Sequence, residues 1–214
     1  MRPINVTVGP VGTVSATAVA ASQTPGAAGN LTINGSDAAN GVATLPSPQR
    51  VLITTSDTTH IFTVTGTTLS GAVVTETVGP ITTSAYTAQD FATVTAVSIN
   101  GAATGAVTVG TNGIAATPWV RLDEWAAAQV GIQCDVTGTV SFTVQSSYDD
   151  PNKGWAIVLP QNMVWINSSD TNAVNATANL QTQYAYAPTW VRALLNSGSG
   201  SVTMTVTQYS VAPY

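Results

Sequence analysis

The stretch Arg50–Val78, RVLITTSDTTHIFTVTGTTLSGAVVTETV, decides the fold class. It holds three short β-branched runs, Val51–Thr54, His60–Thr65 and Ala72–Val78, separated by turn residues. In the second run His60, Phe62 and Val64 share one face, and Ile61, Thr63 and Thr65 the other. A period of two puts alternate side chains on opposite faces of a pleated strand. Thr58-Thr59 and Gly66 through Gly71 break the pattern where turns are expected. In the third run Val74 and Val78 share a face with Glu76, and Val73 shares the other with Thr75 and Thr77. Alternation alone does not decide which of those faces is buried.

The same texture runs outward in both directions. Ile4, Val6 and Val8 alternate near the N-terminus before Gly9-Pro10 and Gly12 interrupt. Residues 1–22 read as an extended arm or first edge strand. Asn34-Gly35 predicts a hairpin between Leu31–Asn34 and Gly41–Leu45, closed by Pro46 and Pro48. Asn100-Gly101 predicts a second between Phe91–Ile99 and Ala106–Val109. Thr137-Gly138 predicts a third between Val130–Val136 and Thr139–Ser146. Asn196 through Gly200 predicts the last, between Trp190–Leu195 and Val202–Tyr209. Asp123–Gln129 reads as one or two helical turns with Asp123 as N-cap, and Asn167–Leu180 as a long surface loop. Short strands with turn signals every 8–12 residues predict an all-β protein of antiparallel β-sandwich or jelly-roll units.

Two such units are expected. All five tryptophans, Trp119, Trp125, Trp155, Trp165 and Trp190, lie beyond Gly113, whereas the first half carries only Phe62, Tyr86 and Phe91 as aromatics. A Val/Ile/Thr core thus gives way to one built on large rings, which places a boundary near Ala115–Pro118. The expected organisation is 1–22 arm, 23–115 first sandwich and 116–214 second sandwich.

Composition narrows the function classes. A chain of 214 residues buries roughly 70% of its unfolded surface and needs no disulfide or metal for stability. The single cysteine, Cys134, rules out an intrachain disulfide, which fits a reducing compartment, although many secreted bacterial proteins also lack disulfides. Charged residues are 7% of the chain, against roughly 25% in ordinary soluble domains. The solvent faces must then be covered by Thr, Ser, Asn and Gln, a surface suited to packing against protein. A formal charge of −5 with five Lys+Arg leaves no basic patch to follow a phosphate backbone, so nucleic acid is not an expected partner. No apolar run approaches the ~20 residues of a membrane span, and the N-terminus lacks the leucine-rich core of a signal peptide. No membrane partner is expected.

Candidate chemical groups are few. His60, the one histidine, has no Gly-x-Ser-x-Gly elbow to complete a triad and no ligand-spaced partner for a metal. Lying in an alternating run, it reads as structural. Cys134, in GIQCDV, has Asp135 beside it, the wrong charge for an activated thiolate, and reads as core. Asp123, Glu124, Asp149 and Asp150 are the acidic clusters. Paired carboxylates serve glycosidases, and Asp149, Asp150 and Asn152 offer oxygens of the kind Ca²⁺ takes, but turn and cap chemistry explains Asp-Asp-Pro-Asn with nothing added. The tryptophans have ring faces for sugars, yet their spacing gives no planar platform. The expected sets of catalytic, cofactor and metal residues are empty.

Several segments together resemble a family of virion proteins of tailed bacteriophages. They are MRPINVTVGP, GNLTINGS, GVATLPSPQRVLITTS, FTVTGTTLSGAVVTETV and FATVTAVSINGAATGAVTVGTNG in the first half, and VTGTVSFTVQSSYDDP and PTWVRALLNSGSGSVTMTVTQ in the second. The resemblance covers most of the chain and carries over no site residues. It implies a non-enzymatic β-sandwich of the phage head, made in the bacterial host cytoplasm. The role implied is a capsid cement or decoration protein that binds the major capsid protein and copies of itself, as a homo-oligomer such as a trimer. Two other readings stand beside it: a head–tail adaptor, tail or head-fibre component, and a carbohydrate-binding module for host recognition. The expected contact elements are the stretch Met1–Gly29 and exposed rings of the second half. On this reading, deleting Met1–Ala21 weakens attachment and leaves both sandwiches folded.

Overall fold

Burial follows the period-two pattern of the sequence and settles the face that Val73–Val78 left open. Val74, Glu76 and Val78 are buried, while Val73, Thr75 and Thr77 are exposed. A computed structural model describes residues 3–123, 129–154 and 157–208. Among these residues the chain is all-β and antiparallel, with two single-turn 3₁₀ segments, Pro160–Asn162 and Thr171–Ala173, and no α-helix. The expected helical turns at Asp123–Gln129 fall largely outside the described residues.

The strands in chain order begin with β1 (Ile4–Val8), β2 (Ala20–Gln23), β3 (Gly29–Asn30), β4 (Ala38–Ala39) and β5 (Val42–Gln49). Next come β6 (Val51–Thr55), β7 (Phe62–Thr67), β8 (Val73–Val78), β9 (Ser84–Tyr86), β10 (Phe91–Ile99) and β11 (Val107–Thr111). The remainder are β12 (Ala115–Ala116), β13 (Val120–Arg121), β14 (Val130–Thr137), β15 (Val140–Ser147), β16 (Ile166–Asn167), β17 (Leu180–Tyr184), β18 (Trp190–Gly198) and β19 (Ser201–Gln208).

They divide into two compact units, one of Val11–Ile114 and one of Met1–Pro10 with Ala115–Tyr214. In the Val11–Ile114 unit one sheet has the order β4-β5-β10-β7-β8, with β3 also on β10, and a second has the order β2-β11-β6-β9. One core lies between them. Phe62, Val64, Val74, Phe91, Val94 and Val97 of the first sheet meet Val51, Ile53, Val107 and Val109 of the second. In the other unit the sheets are β1-β19-β14-β17 and β12-β18-β15-β16, with β13 also on β18. Ile132, Cys134, Val202, Met204 and Val206 of one sheet, and Phe142, Val144, Val191, Ala193 and Leu195 of the other, are all buried.

Three expected hairpins are sheet-crossing arches instead. β10 and β11, flanking Asn100-Gly101, lie in different sheets, as do β14 and β15 across Thr137-Gly138, and β18 and β19 across Asn196–Gly200. Asn34-Gly35 is not a hairpin either. The two-residue turn falls at Asn40-Gly41, with φ of 51° and 79° at its two residues, and joins Ala39 to Val42. Positive φ at both central residues is the requirement of a type I′ turn. Gly66 likewise belongs to a strand: a Cβ there would strike the Thr93 carbonyl oxygen, so glycine lets β10 close on β7. The turn proper is Thr68–Gly71, closed by Thr68 N–H donating to Ala72 O at 2.9 Å.

Residues 1–22 do not act as one arm. β1 is an edge strand hydrogen-bonded along β19, from Ile4 opposite Val206 to Val8 opposite Val202. Val11, Ala18, Val19 and Ala20 are buried in the other unit. Removing a stretch with this many buried side chains should unsettle both units, against the expected outcome of deleting Met1–Ala21.

Candidate interaction surface

The sequence-predicted groups that are described sit in local hydrogen bonds or in the core. His60 lies in the loop before β7, not in the strand, because Asp57 captures it. Asp57 is fully buried and accepts from Thr59 N–H (2.9 Å), Thr59 Oγ1 (2.9 Å), His60 N–H (3.1 Å), Thr104 N–H (2.9 Å) and His60 Nδ1 (2.7 Å). The backbone N–H groups of Thr59 and Thr104 hold its carboxyl far below the usual carboxylate range. The His60 ring packs Nε2 and Cδ2 onto Gly101. Nδ1, the nitrogen that a triad acid would orient, is taken by Asp57 instead. Cys134 points into the core, where burial, and secondarily the Asp135 charge, push its thiol up to about 12. That is the opposite of activation.

The acidic residues are used locally. Asp149 Oδ2 accepts from Val164 N–H at 2.6 Å, and Asp150 accepts from Asn152 N–H at 2.9 Å and from Arg121 Nη2 at 3.1 Å. Asp123 donates its N–H to Gln208 Oε1 at 2.9 Å, while Glu124 lies outside the described residues. Among the described residues no three His, Cys, Asp or Glu side chains gather where they could hold a metal. Glu76 is a further buried acid. Its carboxylate accepts from the Ala88 N–H and, at 3.0 Å, the Gln89 N–H, and burial raises its pKa.

Sequence spacing did not foretell the aromatic cluster. Trp119, Trp165 and Trp190 come together on the outer face of β18, with Trp119 centred 5.3 Å from Trp165 and 6.1 Å from Trp190. Their planes are inclined at 58° and 68°, so they make no flat shelf for a sugar ring. They stack on cations instead. The Arg192 guanidinium sits 3.9 Å from the Trp165 ring centre and donates through Nε to Gln145 Oε1 at 2.9 Å, while Arg121 lies 5.7 Å from the Trp190 ring. Trp125 and Trp155 lie outside the described residues. The expected surface loop covers the outer face of β15, where Asn175 N–H donates to Thr143 Oγ1 and Ser168 N–H to Val144 O. At the same unit's surface Tyr148 and Tyr186 are exposed and stack at 6.1 Å with 26° between planes. Ile157, Leu159, Val164 and Ile166 are exposed as well.

The outer face of the β19-β14-β17 sheet is polar and almost uncharged. Across the strands Asn5, Thr205, Gln133 and Gln181 are in register, and in the next row Thr207, Gly131 and Gln183. The missing side chain at Gly131 leaves a trough of about 680 Å³ lined by Gln133, Gln181, Gln183, Thr205, Thr207 and Asp170. Gln181 Nε2 donates to Gln133 Oε1 and Gln133 Nε2 to Asp135, so these amides are already ordered.

Three sheet edges share this lack of charge. Outward-facing side chains on β1, β8 and β17 are Asn5 and Thr7, Val73, Thr75 and Thr77, and Gln181 and Gln183. Soluble proteins guard such edges with Lys, Pro or bulges because an open strand recruits another. No family model matches this chain, and no curated protein matches it by sequence.

Proposed function

We propose that this chain is a non-enzymatic structural protein of a phage virion, a capsid cement or decoration protein that works by covering and being covered. The observation that carries this reading is the lack of charge on the outward side chains of the β1, β8 and β17 edges, in a β-protein in which only 7% of residues are charged. Such surfaces are costly to leave bare and cheap to desolvate. The partners proposed are the major capsid protein and further copies of this chain. Among the described residues Asp57, His60, Cys134, Asp149 and Asp150 are buried or held in local hydrogen bonds, which supports a role without catalysis.

The test is the ratio of this protein to the major capsid protein in purified particles, joined to a heat-release assay on heads with and without it. A ratio near that of the capsomers, with heads that open at lower temperature when it is absent, is the expected result. A few copies per particle would replace this reading with a head–tail or tail component. The exposed Tyr148–Tyr186 pair favours one alternative, a carbohydrate-binding module. A glycan array that responds to wild type and fails with Tyr148→Ala would establish it.

A further inference from the structure

We propose that β8 is a self-association edge, along which two copies of this chain pair antiparallel about a two-fold axis to join their larger sheets into one. The backbone geometry is the starting point. Opposite residues in an antiparallel ladder alternate between hydrogen-bonded and non-bonded pairs. Thr68 bonds Ala72 at the turn, and β7 and β8 run on in unbroken register with Gly66 opposite Val74, Val64 opposite Glu76 and Phe62 opposite Val78. Those are the bonded pairs. Val73, Thr75 and Thr77 therefore turn their N–H and C=O away from β7, and β8 has no strand on that side.

Three features distinguish this edge from the others among the described residues. At six residues β8 is the longest strand at any sheet edge, the rest having two to five. It sits beside the two most exposed large apolar side chains, Val73 at 77% and Leu69 at 72%. Its one charged residue, Glu76, gives no protection, because the side chain points inward and is held by the Ala88 and Gln89 N–H groups.

The occupant that fits is a second β8. With Thr75 on the axis, Thr75 pairs with Thr75 of the partner subunit and Val73 with Thr77 of the partner subunit. Each of the three outward residues then both donates and accepts. No charge meets a like charge, and the apolar Val73 rows lie on the same face of the joined sheet. A two-fold pairing uses the edge completely in both copies, so association closes at the dimer and does not run on into a fibre. The contact is smaller than a standard interface of roughly 1,600 Å², so a reversible dimer is expected. This proposal names the self-association surface of the reading above and rests on its self-association half, not on capsid binding.

The experiment uses the full chain alone, in sedimentation velocity from low to high micromolar concentration. The wild type should shift from monomer to dimer. Thr75→Pro removes an outward N–H at an edge position that tolerates proline, and Thr75→Lys adds the missing guard. Both should remain monomeric with unchanged far-ultraviolet circular dichroism, losing at low concentration only the small stability owed to the exposed Thr65–Thr75 hydroxyl contact. Gln181→Lys, on the β17 edge, should dimerise as the wild type does. Amide hydrogen exchange should show Val73, Thr75 and Thr77 N–H protected at high concentration and unprotected at low. A wild type that stays monomeric throughout, Thr75 variants that dimerise normally, or a dimer whose Thr75 N–H exchanges freely would each overturn the proposal. A wild-type dimer that leaves phage heads undecorated would overturn the capsid reading and leave the edge assignment standing.

Discussion

The two units place their buried charges differently. In Val11–Ile114 two buried carboxylates hold loops by accepting backbone N–H groups, Asp57 from Thr59 and Thr104, and Glu76 from Ala88 and Gln89, and a buried cation, Arg50, lies 5.5 Å from the Tyr86 ring. In the unit of Met1–Pro10 and Ala115–Tyr214 the buried cation Arg192 lies against Trp165, while the exposed Arg121 lies near Trp190 and bonds the buried Asp150. The first unit has aliphatic strands short enough to close on one core, and needs fixed crossings at the ends. The second has a sheet, β18 with β15, buried on both faces. Its outer face is covered by a loop and tryptophans, and a planar cation fills the space between an amide and a ring better than an alkyl chain does. In both units the charges that are buried specify geometry.

The largest effect expected is from shortening the N-terminus. All tryptophans belong to one unit, so their fluorescence reports that unit alone. Removing residues 2–10 deletes β1 and should lower the tryptophan-monitored stability by several kcal/mol, Val8 alone being worth roughly 1.5–3 kcal/mol. Removing residues 2–21 should also unfold the Val11–Ile114 unit, read by loss of protection in its amides. If the longer deletion leaves both units intact, the division of the N-terminal stretch between two cores is wrong.

Arg192→Ala comes next. It removes a nearly fully buried cation from under Trp165 and leaves Gln145 Oε1 without its donor. A loss of about 2–4 kcal/mol in urea unfolding is expected from a desolvated cation–π contact plus an orphaned acceptor. Arg192→Lys should recover less than half of it, since lysine lacks the planar fork.

Titration should separate the two buried carboxylates within one unit. Asp57 is held below its ordinary value of 3.8, so the unfolded chain binds that proton more tightly than the folded one. Its stabilisation is present above that value and is lost as the pH falls through the lower folded pKa. Glu76 is raised above 4.5 by burial, so the folded state binds its proton more tightly, and its contribution falls as the pH rises through the raised value. Asp57→Asn should flatten the acid limb of the stability curve, and Glu76→Gln should remove a decline above about pH 4.5. Denaturant midpoints from pH 2 to pH 8 check both.

The smallest effect concerns Cys134. Its thiol should fail to react with a disulfide reagent in the native state at pH 8 and react fully in denaturant, because burial, with Asp135 beside it, holds it near 12. Rapid native labelling would show that the β14 face opens.

Strand positions were legible because alternation and turn residues are local signals. β7, β8, β10, β14 and β19 lie close to their expected runs. Pairing was not legible. Gly138 at φ of 79° serves a crossing between sheets as readily as it serves a hairpin, and nothing in Thr137-Gly138 says which. Partner choice is set by distant segments, as when Ile4 meets Val206. The surface was half legible. The low charge pointed to a surface suited to packing against protein, but which strand would be an edge is a property of topology. The meeting of Trp119, Trp165 and Trp190 depends on β18 and on the loop over β15, elements far apart in the chain.

One consequence of the β1–β19 pairing belongs to synthesis rather than to the finished molecule. β1 finds its partner only when β19 leaves the ribosome. At ~5–20 residues per second that wait is on the order of ten seconds or more. During it, Val11–Ile114 has all of its own strands and can complete its core. A nascent Ile4–Val8, apolar and unpaired, is then the segment that a chaperone would hold and that a translation pause before Ser201 would expose longest. The order in which this protein matures is written from the middle outward.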